Sequence, residues 1–203
     1  RRTMLFLHGN AGNVSHRLPS LRLFHDLGIA VLVIDYSGYG RSGGAPSEEA
    51  TRADARAAWD WLTGDRGAPA RDVVLFGRSL GGAVAAGLAG ELAAEGVAPG
   101  ALILESTFTS AADMGARLYP WLPVRRLMRN RYDSAAALAD VRVPALFAHS
   151  PDDETVPCAL GRALHDGYGG PKTFLALRGG HNRGYLEMGR DYPAGLARFL
   201  GGL

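Results

Sequence analysis

Short apolar runs recur along this chain and alternate with stretches in which apolar residues lie three or four positions apart. The runs are continuously apolar, as in strands that are covered on both faces. They predict strands at residues 3–7, 29–34, 73–76, 101–104, 143–148 and 172–177. The intervening stretches predict helices at residues 14–27, 47–62, 82–96, 156–165 and 185–200. This alternation predicts an α/β fold with a mostly parallel sheet and helices on both faces.

Residues 107–132 interrupt the alternation. Tyr119, Trp121 and Leu122 stand between or beside prolines, and a basic stretch follows them, with Arg125, Arg126, Arg129 and Arg131. We predict that this segment forms a small cap over the functional site. Because 203 residues suffice for one buried core and are few for two, we predict a single domain over residues 1–203 with the cap inserted at 107–132.

The composition argues against several classes of protein. A net charge of +2 gives no strong field for nucleic acid, so none is expected as a partner. The single cysteine, Cys158, cannot form a disulfide framework. The sequence contains no apolar run of membrane-spanning length and no visible secretory signal. We expect a cytoplasmic protein. The chain enters a strand at once without an initiator methionine, so any anchor or signal is expected upstream of Arg1.

A serine flanked by glycines follows the third predicted strand, in the stretch Gly77-Arg78-Ser79-Leu80-Gly81. An Ala-rich helical stretch comes directly after it. A G-x-S-x-G turn between a strand and a helix is typical of a nucleophile elbow, which exposes the serine hydroxyl above the sheet. The alternative is an ordinary surface turn in a Gly-rich chain. The strand before and the helix after Ser79 favour the elbow.

A second glycine pattern, Gly38-x-Gly40-x-x-Gly43, has the spacing of the dinucleotide-binding fingerprint. That fingerprint must open a helix directly, whereas residues 44–46 still separate this one from a helix. No acidic residue follows a next strand at the required distance. We interpret the segment as a flexible loop, and we expect no cofactor.

Three histidines follow Ser79 and are candidates for its general base: His149, His165 and His181. A serine hydroxyl needs such a base within hydrogen-bonding reach, and the base needs an orienting acid. In folds with this elbow the chain order is serine, acid, histidine. His181 follows the last predicted strand and is the preferred base. We expect His149 to be structural and His165 to face solvent on a helix.

The acid should follow the penultimate strand, where Asp152, Asp153 and Glu154 stand in a row. The residues alone leave this choice open. The carboxylates that do not serve as the acid are expected to be solvated turn or helix-cap residues. Glu105, at the end of another strand, is a less favoured acid, and we expect it to bind loop backbone.

Acyl transfer also requires donors for an oxyanion. The backbone N–H of Leu80, directly after the serine, is one candidate. The N–H of Asn10, in the loop after the first strand, is the other. The histidines lack metal-ligand spacing and Cys158 stands alone, so we expect no metal.

These motifs together resemble the α/β-hydrolase superfamily, specifically small serine hydrolases of the α/β-hydrolase-domain group, which includes membrane-anchored protein depalmitoylases. The resemblance covers nearly the whole chain. The matching stretches are residues 8–13, 35–43, 77–82, 105–110, 132–134 and 180–182. It implies a three-layer α/β-hydrolase fold. It also implies strands before Thr3 that this chain lacks, so the sheet is expected to be trimmed at its edge.

The resemblance also assigns the acid. The family's H-G-x-x-D-x-x-V-P pattern falls on residues 149–157 and places the acid on Asp153, with Ser150 at the usual glycine position. The expected catalytic set is therefore Ser79, Asp153 and His181.

The leading hypothesis is a serine hydrolase that cleaves a carboxylic ester or thioester of a small-molecule or lipid-like acyl substrate. The second is a peptidase or depalmitoylase-like thioesterase, with the arginines of the cap segment near a membrane surface. The third is a binding module that kept the fold without catalysis. The complete set of catalytic candidates favours an enzyme over a binding module.

Overall fold

The computed structural model describes residues 2–203, apart from the side chains of Leu118, Arg125 and Leu127. Six strands form one parallel sheet in the order β2-β1-β3-β4-β5-β6. The strands are β1 (Thr3–Leu7), β2 (Ala30–Val33), β3 (Val73–Arg78), β4 (Ala101–Glu105), β5 (Ala145–His149) and β6 (Lys172–Ala176). All six predicted strands are confirmed to within two residues at each end.

Helices connect the strands. They are α1 (Leu18–Asp26), α2 (Glu48–Asp60), α3 (Leu80–Ala94), α4 (Ala111–Leu118), α5 (Val124–Leu127), α6 (Ser134–Ala137), α7 (Cys158–Gly167), α8 (Gly184–Glu187) and α9 (Asp191–Gly201). Short 3₁₀ turns occur at Val14–Arg17 and Ala70–Asp72, and a π-helical turn at Trp61–Asp65. The prediction of one last helix over residues 185–200 is wrong. The chain there forms α8 and α9, separated at Gly189, whose φ of 54° lies in the left-handed region.

Alternate residues of the strands pack on opposite faces of the sheet. On β3, Val73 and Leu75 belong to one apolar cluster, with residues of α2, α3 and α7. Val74 and Phe76 belong to another, with residues of α1 and α9. The two-residue period of a strand explains this division. The continuous apolar runs therefore reflect a sheet that is covered on both sides, as predicted, and the layers are helix, sheet and helix.

The strand order reverses between β1 and β3. The chain goes from β1 to its neighbour β2 on one side, and then returns to place β3 on the other side of β1. In open parallel sheets, the crevice at the carboxyl ends of strands on either side of such a reversal is the usual binding site. The loops after β1 and β3 meet there, and they carry Asn10 and Ser79.

Candidate active site

Ser79 lies on the sharp turn between β3 and α3, with φ 55° and ψ −120°. Such a conformation costs a residue other than glycine about 1–3 kcal/mol, so the surroundings must impose it. The surroundings are tight. A Cβ on Gly77 would lie 2.2 Å from the carbonyl oxygen of Gly81, and one on Gly81 would lie 2.0 Å from that of Leu7. The flanking glycines let three backbone segments meet, and the predicted elbow conformation is present.

The side chain of His181 lies between Ser79 and Asp153. Its Nε2 is 3.0 Å from Ser79 Oγ, and its Nδ1 is 2.8 Å from Asp153 Oδ2. A carboxylate only accepts, so Nδ1–H donates to it, which leaves Nε2 free to accept from the serine hydroxyl. The three residues come from the ends of β3, β5 and β6. The structure thus brings together the three side chains that the sequence analysis selected.

The buried Asp153 carboxylate is fully provided with donors. Its Oδ1 accepts from the backbone N–H of Thr155 at 2.9 Å and of Val156 at 2.7 Å. Burial alone would raise the pKa of Asp153, but the hydrogen-bonding side chains of His149 and His181 and the Val156 N–H outweigh it. They hold the pKa well below its ordinary range, so Asp153 is charged at neutral pH.

The two neighbouring carboxylates, Asp152 and Glu154, differ in their contacts. Glu154 Oε2 accepts the backbone N–H of His181 at 2.9 Å, which fixes the loop that carries the histidine. Asp152 is exposed to solvent. Both Asp152 and Glu154 are exposed, as predicted for an unused acid, and Glu154 in addition supports the histidine loop.

Glu105 differs from expectation. It was expected to bind loop backbone, but its Oε1 lies 2.5 Å from Arg78 Nε, and its Oε2 accepts the hydroxyl of Tyr192. Both Arg78 and Glu105 are buried, and they are register partners on β3 and β4. The glutamate therefore neutralises a buried arginine directly beneath the elbow.

The other two candidate histidines differ in burial. His149 is 1% exposed and, as predicted, structural in its surroundings, yet its Nε2 lies 3.2 Å from Asp153 Oδ2, a contact that the sequence analysis missed. The prediction that His165 faces solvent is wrong. Its side chain is 18% exposed, and its ring meets Phe147 and Phe174 edge-on at 5.6 and 5.5 Å.

A cavity of about 340 Å³ opens beside Ser79. The two oxyanion candidates, Asn10 and Leu80, line it together with the serine. Asn10 is held by the hydroxyl of Tyr39, which donates to its Oδ1 at 2.5 Å. Buried His8 anchors the same loop, since its carbonyl accepts the Tyr36 hydroxyl at 3.0 Å. The use of the Asn10 and Leu80 N–H groups for an oxyanion stays a prediction.

Two features that would indicate a metal or a membrane are absent from the described residues. Within residues 2–203, no group of three or more histidine, cysteine, aspartate or glutamate side chains could hold a metal ion. Among the helices that the structure describes, none is both long and apolar enough to cross a bilayer.

The parallel sheet, the reversal between β1 and β3, and a serine on a left-handed turn after β3 define the α/β-hydrolase class. A solved α/β hydrolase from Vibrio vulnificus has the same fold, with a TM-score of 0.82 and 24% identity over 99% of this chain and 74% of that one. The family model described as "Serine aminopeptidase, S33" matches residues 1–137. The chain therefore belongs to this family of α/β hydrolases, and by class it is a serine hydrolase.

Relatives with related sequences extend the comparison. An uncharacterized protein of Mycobacterium tuberculosis is 42% identical over 198 residues, which are 97% of this chain and 69% of the relative. The lysophosphatidylserine lipase ABHD12 of Danio rerio is 34% identical over 179 residues, 80% of this chain and 46% of the lipase. This chain thus spans about half the length of that lipase.

Proposed function

We propose that this chain hydrolyses carboxylic esters or thioesters through an acyl-enzyme, with Ser79 as nucleophile, His181 as general base and Asp153 as its orienting acid. One observation carries the proposal: the hydrogen-bonded series from Ser79 Oγ to His181 at 3.0 Å and from His181 to Asp153 at 2.8 Å. A serine in this arrangement is an activated nucleophile.

In the proposed reaction, Ser79 Oγ attacks the substrate carbonyl carbon while His181 Nε2 takes the hydroxyl proton. The charged Asp153 stabilises the imidazolium that forms. The bond to the leaving alcohol or thiol then breaks, and His181 returns its proton to that group. A water molecule, deprotonated by His181, then attacks the acyl carbon. The bond to Ser79 Oγ breaks, His181 returns its proton to that oxygen, and the carboxylic acid is released.

The negative charge on the carbonyl oxygen needs donors. The backbone N–H of Leu80 is suited to this role because it begins α3, where the helix dipole favours negative charge. The N–H of Asn10 is proposed as the second donor, since Asn10 lines the same cavity from the opposite loop.

The lining of the cavity favours an uncharged acyl substrate. None of the described residues that line it is charged, and Leu80, Phe108, Met114 and Val156 supply apolar surface. An aminopeptidase substrate carries a free ammonium group, which a carboxylate in the cavity would have to recognise. A neutral acyl group fits this lining better than a peptide amino terminus. A lipid-like ester is consistent with the name of the Danio rerio relative.

The test is labelling by a fluorophosphonate, which reacts with an activated serine. We expect one label per chain, located on Ser79 by mass spectrometry, and simultaneous loss of p-nitrophenyl ester hydrolysis. Chain unfolded in urea serves as the control and should not react. A folded chain that hydrolyses no ester and takes no label at Ser79 would return the binding-module hypothesis to first place.

A second candidate, a lipid esterase or thioesterase acting at a membrane surface, is favoured by the cap segment. Tyr119, Trp121 and Leu122 expose 50%, 74% and 47% of their surface. Residues 117–131 contain five arginines and no acidic residue. Exposed aromatic groups beside basic ones suit the interface of an anionic bilayer. The predicted contribution of the Arg125 side chain lies outside the described residues.

Replacing both Trp121 and Leu122 with serine should weaken binding to vesicles that contain phosphatidylserine, because both are exposed apolar side chains of the cap segment. Flotation at low salt measures this, and added salt should weaken wild-type binding as well. Trp61→Ser is the matched control, since Trp61 is 44% exposed but lies outside the cap segment. Equal flotation of the wild type and both variants would exclude the membrane version. Hydrolysis of soluble esters should be unaffected in either variant.

A further inference from the structure

Two imidazole rings meet at one oxygen of Asp153. His181 Nδ1 lies 2.8 Å from Oδ2, and His149 Nε2 lies 3.2 Å from the same atom. The mechanism proposed above uses His181 alone. The side chains of His149 and Asp153 are 1% and 0% exposed, so bulk water does not weaken their interaction.

The contacts of His149 determine which nitrogen carries its proton. Nε2 is 2.9 Å from the carbonyl oxygen of Val156, which can only accept, so Nε2 carries hydrogen. Nδ1 is buried and has no hydrogen-bond partner among the described residues. Gly161 of α7 packs against this edge, where a Cβ would lie 2.1 Å from Nδ1. The ring is therefore fixed with its N–H directed into the loop of the acid.

Val156 links the two residues a second time. Its N–H donates to Asp153 Oδ1 at 2.7 Å, while its carbonyl accepts from His149. His149, Val156 and Asp153 thus form a closed ring of contacts, and both carboxylate oxygens are held. A histidine that only filled the core would need no contact with the carboxylate.

We propose that His149 is a positioning residue, whose Nε2–H, shared between Val156 and Asp153, holds Oδ2 where it orients His181. The proposal rests on the proposed function. His149 does not line the cavity beside Ser79, so it touches no substrate there. Its action passes through Asp153.

Two kinetic consequences follow for His149→Phe, which keeps a planar ring and removes the donor. The carboxylate gains freedom, so kcat should fall by about tenfold while KM changes by less than about twofold, because substrate binding is untouched. Oδ2, relieved of one donor, becomes a stronger acceptor for His181 Nδ1–H and favours the protonated imidazole. The acid limb of the kcat/KM profile should therefore move to higher pH by about half a unit.

A double-mutant cycle with Asp153→Ala distinguishes positioning from stability. If His149 acts through Asp153, His149→Phe should change kcat by less than about twofold once the carboxylate is gone, because coupled residues are not additive. His149→Gln, which keeps an N–H donor, should recover part of the rate. Urea unfolding checks that each chain is folded, and His149→Leu replaces the phenylalanine variant if that one does not fold.

His165→Phe is the matched control, since His165 is also an imidazole packed against aromatic rings but the structure gives it no contact with Asp153. It should leave both kcat and the acid limb unchanged. The positioning role would be overturned if His149→Phe lowered kcat by the same factor with and without the Asp153 carboxylate and left the acid limb unmoved. Failure of the proposed function would look different, because Asp153→Ala itself would then leave ester hydrolysis intact.

Discussion

Ser79→Ala should lower kcat/KM for p-nitrophenyl esters by about three or more orders of magnitude, because the proposed attacking oxygen is removed while the binding groups remain. The fold should be retained. Alanine meets the same backbone constraint as serine at φ 55°, and the flanking glycines that impose this turn are unchanged. Initial hydrolysis rates at substrate concentrations below KM, with unfolding in urea measured in parallel, check both parts of this result.

Ser106→Ala provides a matched control for that experiment. Ser106 is also buried, follows the next strand β4, and has a left-handed φ of 48°. The proposed base, His181, lies against Ser79 instead. We expect Ser106→Ala to retain hydrolysis within about threefold. Turnover by the Ser79 variant at a rate near that of wild type would rule out the covalent mechanism.

Arg78→Met should lower the free energy of unfolding by about 3–5 kcal/mol, because it leaves the Glu105 carboxylate buried without its positive partner. The pair is deeply buried, with 7% of Arg78 and 2% of Glu105 exposed. Arg78 also donates to Ser20 Oγ at 3.1 Å, and its guanidinium lies 4.1 Å from the centre of the Tyr185 ring. Burial would lower the pKa of Arg78, but Glu105 together with Tyr192 and Tyr185 outweighs that effect, so the pKa is raised.

The control for the Arg78 prediction removes both charges. Replacing a buried ion pair by apolar residues of similar volume is often neutral or stabilising, so Arg78→Met with Glu105→Leu should recover most of the loss. Urea unfolding of the wild type, the single variant and the double variant measures this. A single variant within about 1 kcal/mol of wild type would show that the pair contributes little to stability.

The strands and the elbow could be predicted because their signals are local. A run such as Val73–Phe76 is apolar at every position, and the G-x-S-x-G turn needs only the residues on either side of it. The interruption within the last helical region was harder to predict. Residues 185–200 keep a helical pattern across Gly189, and a glycine inside a pattern signals only a possible break. In the structure the helix is interrupted there, and α8 and α9 are separate helices.

Contacts across the sheet could not be predicted in the same way. Arg78 and Glu105 are 27 positions apart and become partners only through the strand order. The available sequence signal for this pair was that each of the two apolar strands ends in a charged residue. The choice among three adjacent carboxylates likewise needed the family pattern, because the N–H groups that hold Asp153 are set by the folded loop.

The origin of the cavity wall has a practical consequence. The proposed reacting groups come from loops fixed by the parallel strands, and the glycines around Ser79 leave no space for a Cβ. Met114 and Asn130, by contrast, reach the cavity from the chain between β4 and β5. Libraries that aim to change acyl preference should therefore randomise this intervening stretch and leave the turn after β3 untouched. In this architecture, selectivity can be engineered separately from reactivity.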